Sequence, residues 1–150
     1  MNCAERIAKQ WDSRKEDLTV LYGDSSAEDR LKWAIDNGYA DAGDPEDVVS
    51  STLCDASFEY GLCREFETRN PLNCYWRYLL STGGPHEEIR IYLREDDRGM
   101  IEMVGASFIL KDWGDVAEID IRKESVTLNL YYDLITTVGP WDHIRFHSTP

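Results

Sequence analysis

The sequence predicts an α+β fold, with N-terminal helices packed on one face of an antiparallel sheet of about four or five strands. Helix signals concentrate in the first 56 residues, and three strand-like segments separated by two short turns occupy the stretch from Asn73 to Leu110. The chain has 150 residues, of which 42% are hydrophobic, and this suits one domain with one core. We therefore expect a single domain in which residues 1–56 are mainly helical, residues 57–122 form mainly antiparallel strands, and residues 123–150 form a helix or strand followed by a tail.

The first helix is predicted over Asn2–Tyr22. Its apolar residues recur near the 3.6-residue period of an α-helix, while the charged residues occupy the other faces. Asp12-Ser13 is a candidate break within this helix, and Gly23 is a candidate C-terminal stop. The segment therefore predicts an amphipathic helix that covers a hydrophobic core.

Two further helices are predicted before the sheet. The second begins at Ser25, which has the capping-box spacing to a glutamate three residues later, and it ends before Gly38. The third begins at Asp44-Pro45, an N-cap aspartate followed by proline at the first helical position, and ends near Leu53 or Cys54. The residues of the second helix predicted to point inward are Leu31, Ala34 and Ile35.

The sheet is predicted from segments in which apolar and polar residues alternate. Ser57–Phe66 gives a first strand, and the central meander consists of Tyr75–Leu80, Glu88–Arg94 and Ile101–Leu110. The third meander segment is apolar at both parities, which is typical of a strand covered on both faces. Ala117–Arg122 alternates again and predicts one more strand.

The last part of the chain allows two interpretations. Ser125–Val138 fits a helical stripe and a two-residue alternation equally well. Its residue types favour a strand, whereas its length and the following Gly139-Pro140 favour a helix. We predict a helix, with a strand as the alternative, and a short edge strand within Trp141–Pro150.

The formal charge of −13 restricts the partners that the protein can bind. A surface this negative repels phosphate backbones and anionic membranes, but it attracts a basic protein surface. Between Leu31 and Cys63 the only basic residue is Lys32. The candidate partner-binding residues in this stretch are Asp36, Asp41, Asp44, Glu46, Asp47 and Asp55. The alternative is that these residues form a solvated helical face that serves solubility alone.

Trp113 is a further candidate for partner binding. It lies between carboxylates in the segment Asp112-Trp113-Gly114-Asp115. An exposed tryptophan at such a position is typical of an interface anchor. The alternative is that Trp113 closes one end of the hydrophobic core.

The sequence predicts no metal, no cofactor and no catalytic site. The cysteines Cys3, Cys54, Cys63 and Cys74 include no C-x-x-C pair, and His143 and His147 lack the neighbouring glutamate of a metalloprotease helix. We also expect no secretory signal and no membrane span, because the N-terminus is amphipathic and every apolar run is short. Together with the unpatterned cysteines, these features predict a cytoplasmic protein with reduced thiols.

The strand–turn–strand segment from Tyr75 to Pro85, followed by acidic residues and the strand Ile89–Leu93, resembles a known class of proteins. It is similar to a segment of small acidic proteins of plasmids and other mobile elements that accompany antirestriction and anti-CRISPR genes. The resemblance extends over about Glu59–Trp113 and implies a host-defence inhibitor or accessory protein. It is structural rather than catalytic, so it assigns no functional residues.

Charge and resemblance together favour a non-enzymatic acidic inhibitor that mimics nucleic acid. It would bind a bacterial defence nucleoprotein complex, of the anti-CRISPR or antirestriction type, and block its basic nucleic-acid-binding surface. One alternative is an immunity protein that neutralises a basic toxin nuclease. Another is a small ligand-binding domain or enzyme, with a concave pocket lined by Tyr75, Trp76, Tyr78 and Tyr92.

Overall fold

The computed structural model describes residues 2–23, 25–67, 74–99 and 101–137. It confirms an α+β fold. Its elements in chain order are α1 Cys3–Tyr22, α2 Ala27–Asp36, α3 Glu46–Glu59, β1 Cys63–Glu67, β2 Cys74–Ser81, β3 His86–Glu95, β4 Ile101–Asp112, β5 Asp115–Asp120 and α4 Ser125–Thr137. The Gly139-Pro140 stop, the predicted tail strand and the two C-terminal histidines lie outside the described residues.

The five strands form one antiparallel sheet in the order β1-β2-β3-β4-β5. The predicted meander is confirmed, and β3 lies at its centre, where Ile89 pairs with Tyr78 on one side and Phe108 on the other. Ile89 and Ile91 are fully buried, as their alternation predicts. Because side chains alternate across a strand, Glu88 and Arg90 lie on the opposite face of the sheet.

The main core lies between the sheet and two helices, α1 and α4. Trp11 and Leu18 of α1 and Leu130 of α4 pack with the buried residues of the central strands. The ring of Trp11 meets that of Phe108 edge-on, with 5.4 Å between the ring centroids. The covering helices therefore come from both ends of the chain, and not only from its N-terminal part.

The first helix is continuous, so the predicted break at Asp12-Ser13 is wrong. Trp11 and Leu18 are buried on either side of that position, and packing against the sheet keeps the helix intact. Asn2 and Glu5 form a capping box at its start, and the helix ends at Gly23 as predicted.

The second helix starts one residue later than predicted. Ser26, not Ser25, is its N-cap and accepts a hydrogen bond from the backbone of Asp29. Ser25 instead donates to the carbonyl of Thr19 at the end of α1. Gly38 has φ of +79° and follows the helix as predicted. Of the residues predicted to point inward, Ala34 is buried and Leu31 is partly buried, but Ile35 is exposed.

The third helix is longer than predicted and removes part of the predicted first strand. It continues to Glu59, beyond the expected end near Leu53, because Ala56 and Ser57 are buried in its last turns. The strand predicted over Ser57–Phe66 is therefore wrong at its start and is confined to β1. The N-cap is Pro45, which makes no side-chain capping bond, rather than Asp44.

The ambiguous segment at the end of the described chain is the helix α4. Val126, Leu130 and Leu134 recur every four residues and are buried, which is the spacing of a helical stripe. None of the helices in the described part of the chain combines the length and the apolar character needed to cross a bilayer.

Candidate functional site

Residues 27–59, here called the α2–α3 unit, pack on the C-terminal half of α1. The indole N–H of Trp33 donates to a carboxylate oxygen of Asp17 over 2.8 Å. Ala34, Val49 and Leu53 form a small core of their own between the helices. The unit therefore has one apolar side against α1, and its remaining surface is free to carry charge.

The exposed surface of the α2–α3 unit is strongly acidic. The unit contains nine acidic residues and two basic ones, Arg30 and Lys32. All of the acidic residues are exposed except Asp44, which is partly buried. They are Glu28, Asp29, Asp36, Asp41, Asp44, Glu46, Asp47, Asp55 and Glu59. Within the described part of the chain, none of them forms an ion pair.

The acidic residues of the sheet behave differently, because many of them are paired inside the molecule. Five carboxylates in or next to the strands each meet an arginine. The pairs are Glu65 with Arg77, Glu87 with Arg14, Glu88 with Arg90, Glu102 with Arg94 and Asp112 with Arg6. Half of the acidic residues in the strands thus serve internal ion pairs, while those of the α2–α3 unit form none within the described residues.

The structure places the six predicted acidic residues on one unit but gives them different surroundings. Asp41, Asp44, Glu46 and Asp47 lie together in the loop before α3 and in its first turn. Asp44 has a structural role there, because its carboxylate accepts the backbone N–H of Asp41 over 2.8 Å. The other two lie further away: Asp36 ends α2, and Asp55 lies about two turns along α3.

A groove between α1 and α2 extends the acidic surface. Its volume is about 440 Å³, and its lining includes Asp12 and Glu16 from α1 and Asp29 and Asp36 from α2. Lys32 and Lys15 also line the groove, so its negative charge is partly offset. The sequence gives no sign of this groove, because it depends on the packing of two separate helices.

Trp113 occupies the tip of the turn between β4 and β5 and is 99% exposed. The alternative that it closes the core is therefore wrong. Its φ of +51°, together with +79° for Gly114, matches a two-residue hairpin turn with both residues left-handed. A bulky residue in this conformation costs about 1 kcal/mol or more.

Trp113 and the α2–α3 unit lie at different ends of α1. The backbone N–H of Cys3, at the start of α1, donates to Asp115 over 2.8 Å, which fixes the turn there. The unit packs near Asp17, in the second half of the same helix. The structure therefore separates the predicted partner-binding residues into two surfaces.

A partly buried polar network that the sequence does not reveal holds the end of α3 against α1 and the sheet. Arg14 donates to the carboxylate of Glu87 over 2.6 Å and to the hydroxyl of Tyr60 over 3.0 Å. The hydroxyl of Tyr60 donates in turn to Asp17 over 2.6 Å. Burial raises the pKa of the Tyr60 hydroxyl, so it remains a proton donor. The network and the bond from Trp33 to Asp17 orient the acidic unit.

The face of the sheet opposite α1 carries a second charge cluster, centred on Glu88. The Glu88 side chain is fully buried, and its carboxylate lies 2.8 Å from His86, 2.9 Å from Arg90 and 3.6 Å from Lys111. Burial alone would raise the pKa of Glu88, but the hydrogen bonds from Arg90 and His86 outweigh it and lower that pKa. Glu88 is therefore an ionised structural residue.

The four aromatic residues predicted to line a ligand pocket do not share one face of the sheet. Trp76 and Tyr78 are buried on the face covered by helices, whereas Tyr75 and Tyr92 meet each other on the opposite face. Alternation along β2 sends neighbouring side chains to different faces. Among the described residues, no three His, Cys, Asp or Glu side chains are placed to hold a metal ion.

Comparison with known proteins adds no assignment to this geometry. The chain has no significant similarity to a protein-family model, to a curated protein or to a solved structure. The distribution of charge and the two exposed surfaces are therefore the observations that bear on function.

Proposed function

We propose that the protein is a non-enzymatic acidic inhibitor whose α2–α3 unit occupies a basic nucleic-acid-binding surface of another protein. The observation that carries the proposal is the separation of its carboxylates into two groups. Five of the ten carboxylates in the strands are paired with arginines, whereas the nine of the α2–α3 unit form no ion pair within the described residues. Unpaired surface carboxylates on a rigid support resemble a row of phosphates to a basic groove.

The packing of the unit makes the charge available in a fixed arrangement. The Arg14–Glu87 pair and the Tyr60–Asp17 bond connect α1, α3 and the sheet. A partner therefore does not need to order the acidic surface when it binds, which reduces the entropic cost of association. The charge also steers a basic partner toward the unit, so the association rate should fall with added salt.

The class of partner follows from charge and from the resemblance of residues 59–113 to proteins of mobile elements. We propose a bacterial defence nucleoprotein complex, of the anti-CRISPR or antirestriction type, as the target. Binding would exclude nucleic acid from its basic channel. Such a target is cytoplasmic, and the protein would meet it there with its cysteines reduced.

Affinity capture from bacterial lysate tests this proposal. The intact chain is used as bait at low and at high salt, and the retained proteins are identified by mass spectrometry. Retention at low salt of a restriction subunit or CRISPR effector would support the proposal. Retention of a toxin nuclease would replace it with the immunity-protein alternative, and retention of no basic nucleic-acid-binding protein would contradict both.

Neutralising the acidic unit should weaken binding of the retained partner without unfolding the protein. We expect the triple variant Asp36→Asn, Asp41→Asn, Asp47→Asn to bind about 100-fold more weakly at low salt, taking about 1 kcal/mol for each charge. These three residues are exposed, so the melting temperature should change little. Isothermal titration calorimetry with the purified proteins measures the dissociation constants of the wild type and of the triple variant for the partner.

The matched control neutralises three exposed acidic residues elsewhere, with Asp97→Asn, Glu118→Gln and Asp120→Asn. Both triples change the formal charge from −13 to −10. If binding depends on the α2–α3 unit, the control should bind within about threefold of the wild type. Equal losses for the two triples would show that only net charge matters and would contradict the assigned surface.

A further inference from the structure

The turn between β4 and β5 forms one wall of a small cleft at the N-terminal end of α1. The cleft has a volume of about 210 Å³. Its lining residues are Asn2, Cys3, Arg6, Asp112, Trp113 and Asp115. It therefore combines an aromatic ring with two carboxylates, and it is distinct from the acidic α2–α3 unit.

The indole ring of Trp113 is presented to solvent on a fixed support. The side chain is 99% exposed, and its positive φ is rare for a large residue. Arg6 and Asp112 hold one side of the turn through a 2.6 Å ion pair, and the backbone of Cys3 holds the other through Asp115. These contacts fix the backbone position from which the exposed ring projects, so both faces of the ring are accessible to a ligand.

The two carboxylates of the cleft differ in how much charge they leave available. Arg6 neutralises Asp112, with which it is paired. Asp115 accepts the backbone N–H groups of Cys3 and Val116, and no basic side chain in the described part of the chain pairs with it. The hydrogen bond from the Cys3 backbone lowers the pKa of Asp115. Asp115 therefore supplies a negative charge with no basic side-chain partner among the described residues, in the same cleft as the Trp113 ring.

We propose that this cleft binds the guanidinium group of an arginine on a protein partner, stacked on the Trp113 ring and hydrogen-bonded to the Asp115 carboxylate. A guanidinium is planar and weakly hydrated, so it stacks on an aromatic face while its N–H groups reach a carboxylate. Each oxygen of Asp115 accepts one backbone bond and has a second lone pair for the ligand. The inference depends on the proposed function in one respect only: the arginine would belong to the basic partner protein proposed above.

The test is an NMR titration of the full-length chain with N-acetylarginine amide. The readout is the indole N–H signal of Trp113, assigned by its loss in the Trp113→Phe variant. We expect a shift that saturates at millimolar concentration, a smaller response to N-acetyllysine amide, and none to N-acetylleucine amide. Asp115→Asn should weaken arginine binding about fivefold.

The Trp113→Asn variant distinguishes loss of arginine binding from loss of protein stability. Asparagine is preferred at the first position of a left-handed two-residue turn, so Trp113→Asn should keep or raise the melting temperature, by up to about 3 °C. In that variant, arginine should no longer shift the backbone signals of Cys3 and Asp115.

Two results would overturn the inference. One is the absence of an arginine-dependent shift at Trp113 in the folded wild-type protein. The other is an equal shift with the leucine amide, which would indicate an apolar docking site. The Asp36, Asp41, Asp47 triple variant should retain the arginine response, so failure of this inference and failure of the proposed function are distinguishable.

Discussion

Trp11→Ala should destabilise the protein by about 4 kcal/mol, which is the usual loss when a buried aromatic residue is truncated to alanine. Trp11 is 4% exposed and packs edge-on against Phe108 at the centre of the main core. The substitution removes a large apolar surface from the core and leaves a cavity between α1 and the sheet. For a chain of this length the melting temperature should fall by about 12 °C.

The same substitution at the exposed tryptophan is the matched control. Trp113 is 99% exposed, so Trp113→Ala should change the free energy of unfolding by no more than about 0.5 kcal/mol. Urea denaturation followed by far-UV circular dichroism measures both variants. Similar losses at the two positions would contradict the described core, because they would mean that Trp113 is packed or that Trp11 is not.

Glu88→Gln should destabilise the protein by about 3 kcal/mol at pH 7, since the buried carboxylate is replaced by a neutral amide, which accepts weaker hydrogen bonds from Arg90 and His86 and turns an N–H group toward them. Glu88 is the shared acceptor of His86, Arg90 and Lys111. The glutamine has nearly the same shape, so the loss reports charge rather than volume. Glu118→Gln, at an exposed glutamate of β5, is the control and should cost less than about 0.5 kcal/mol.

The effect of Glu88→Gln should depend on pH in a defined direction. The pKa of Glu88 in the folded protein is lowered, so its contribution to stability is fully present above the ordinary pKa of a glutamate. It is lost as the pH falls below that value and through the lowered pKa of the folded state. The difference between wild type and Glu88→Gln in urea denaturation should therefore shrink from pH 7 to pH 3. A difference that stayed constant would show that Glu88 is not the ionised centre of the cluster.

The sheet could be predicted from the sequence because its pattern is local. The alternation of Ile89 and Ile91 with Arg90 indicates a strand with one buried face, and the glycine-containing turns on both sides set its limits. The helix stripe of α1 was predictable for the same reason. Its supposed break at Asp12-Ser13 was not a break, because tertiary packing overrides a weak local signal.

The boundary between α3 and β1 could not be predicted, because the local pattern pointed to the wrong structure. Phe58, Tyr60 and Leu62 alternate as they would in a strand, yet Phe58 is 66% exposed and Leu62 is 58% exposed. The residues that determine the structure are Ala56 and Ser57, whose burial keeps the helix intact. Only the packing of the helices shows that the apolar pattern is incidental.

The candidate site was predictable in composition but not in arrangement. The run of carboxylates from Asp36 to Asp55 is visible in the sequence. Their exposure is expected, because carboxylates are rarely buried without a partner. Arg14 and Glu87 are 73 residues apart, so no sequence pattern shows that they pair. The absence of ion pairs among the α2–α3 carboxylates also depends on where the fold places the basic residues. The separation of Trp113 from the acidic unit likewise depends on the tertiary fold.

The most direct test of the acidic surface is the salt dependence of binding to the purified partner retained by the intact chain. The dissociation constant would be measured between 50 and 500 mM NaCl for the wild type, for the Asp36, Asp41, Asp47 triple variant and for the control triple. We predict that wild-type binding weakens at least about tenfold over this range. The slope should be much shallower for the α2–α3 triple and unchanged for the control. Wild-type binding that is insensitive to salt, or equal slopes for all three proteins, would contradict the account.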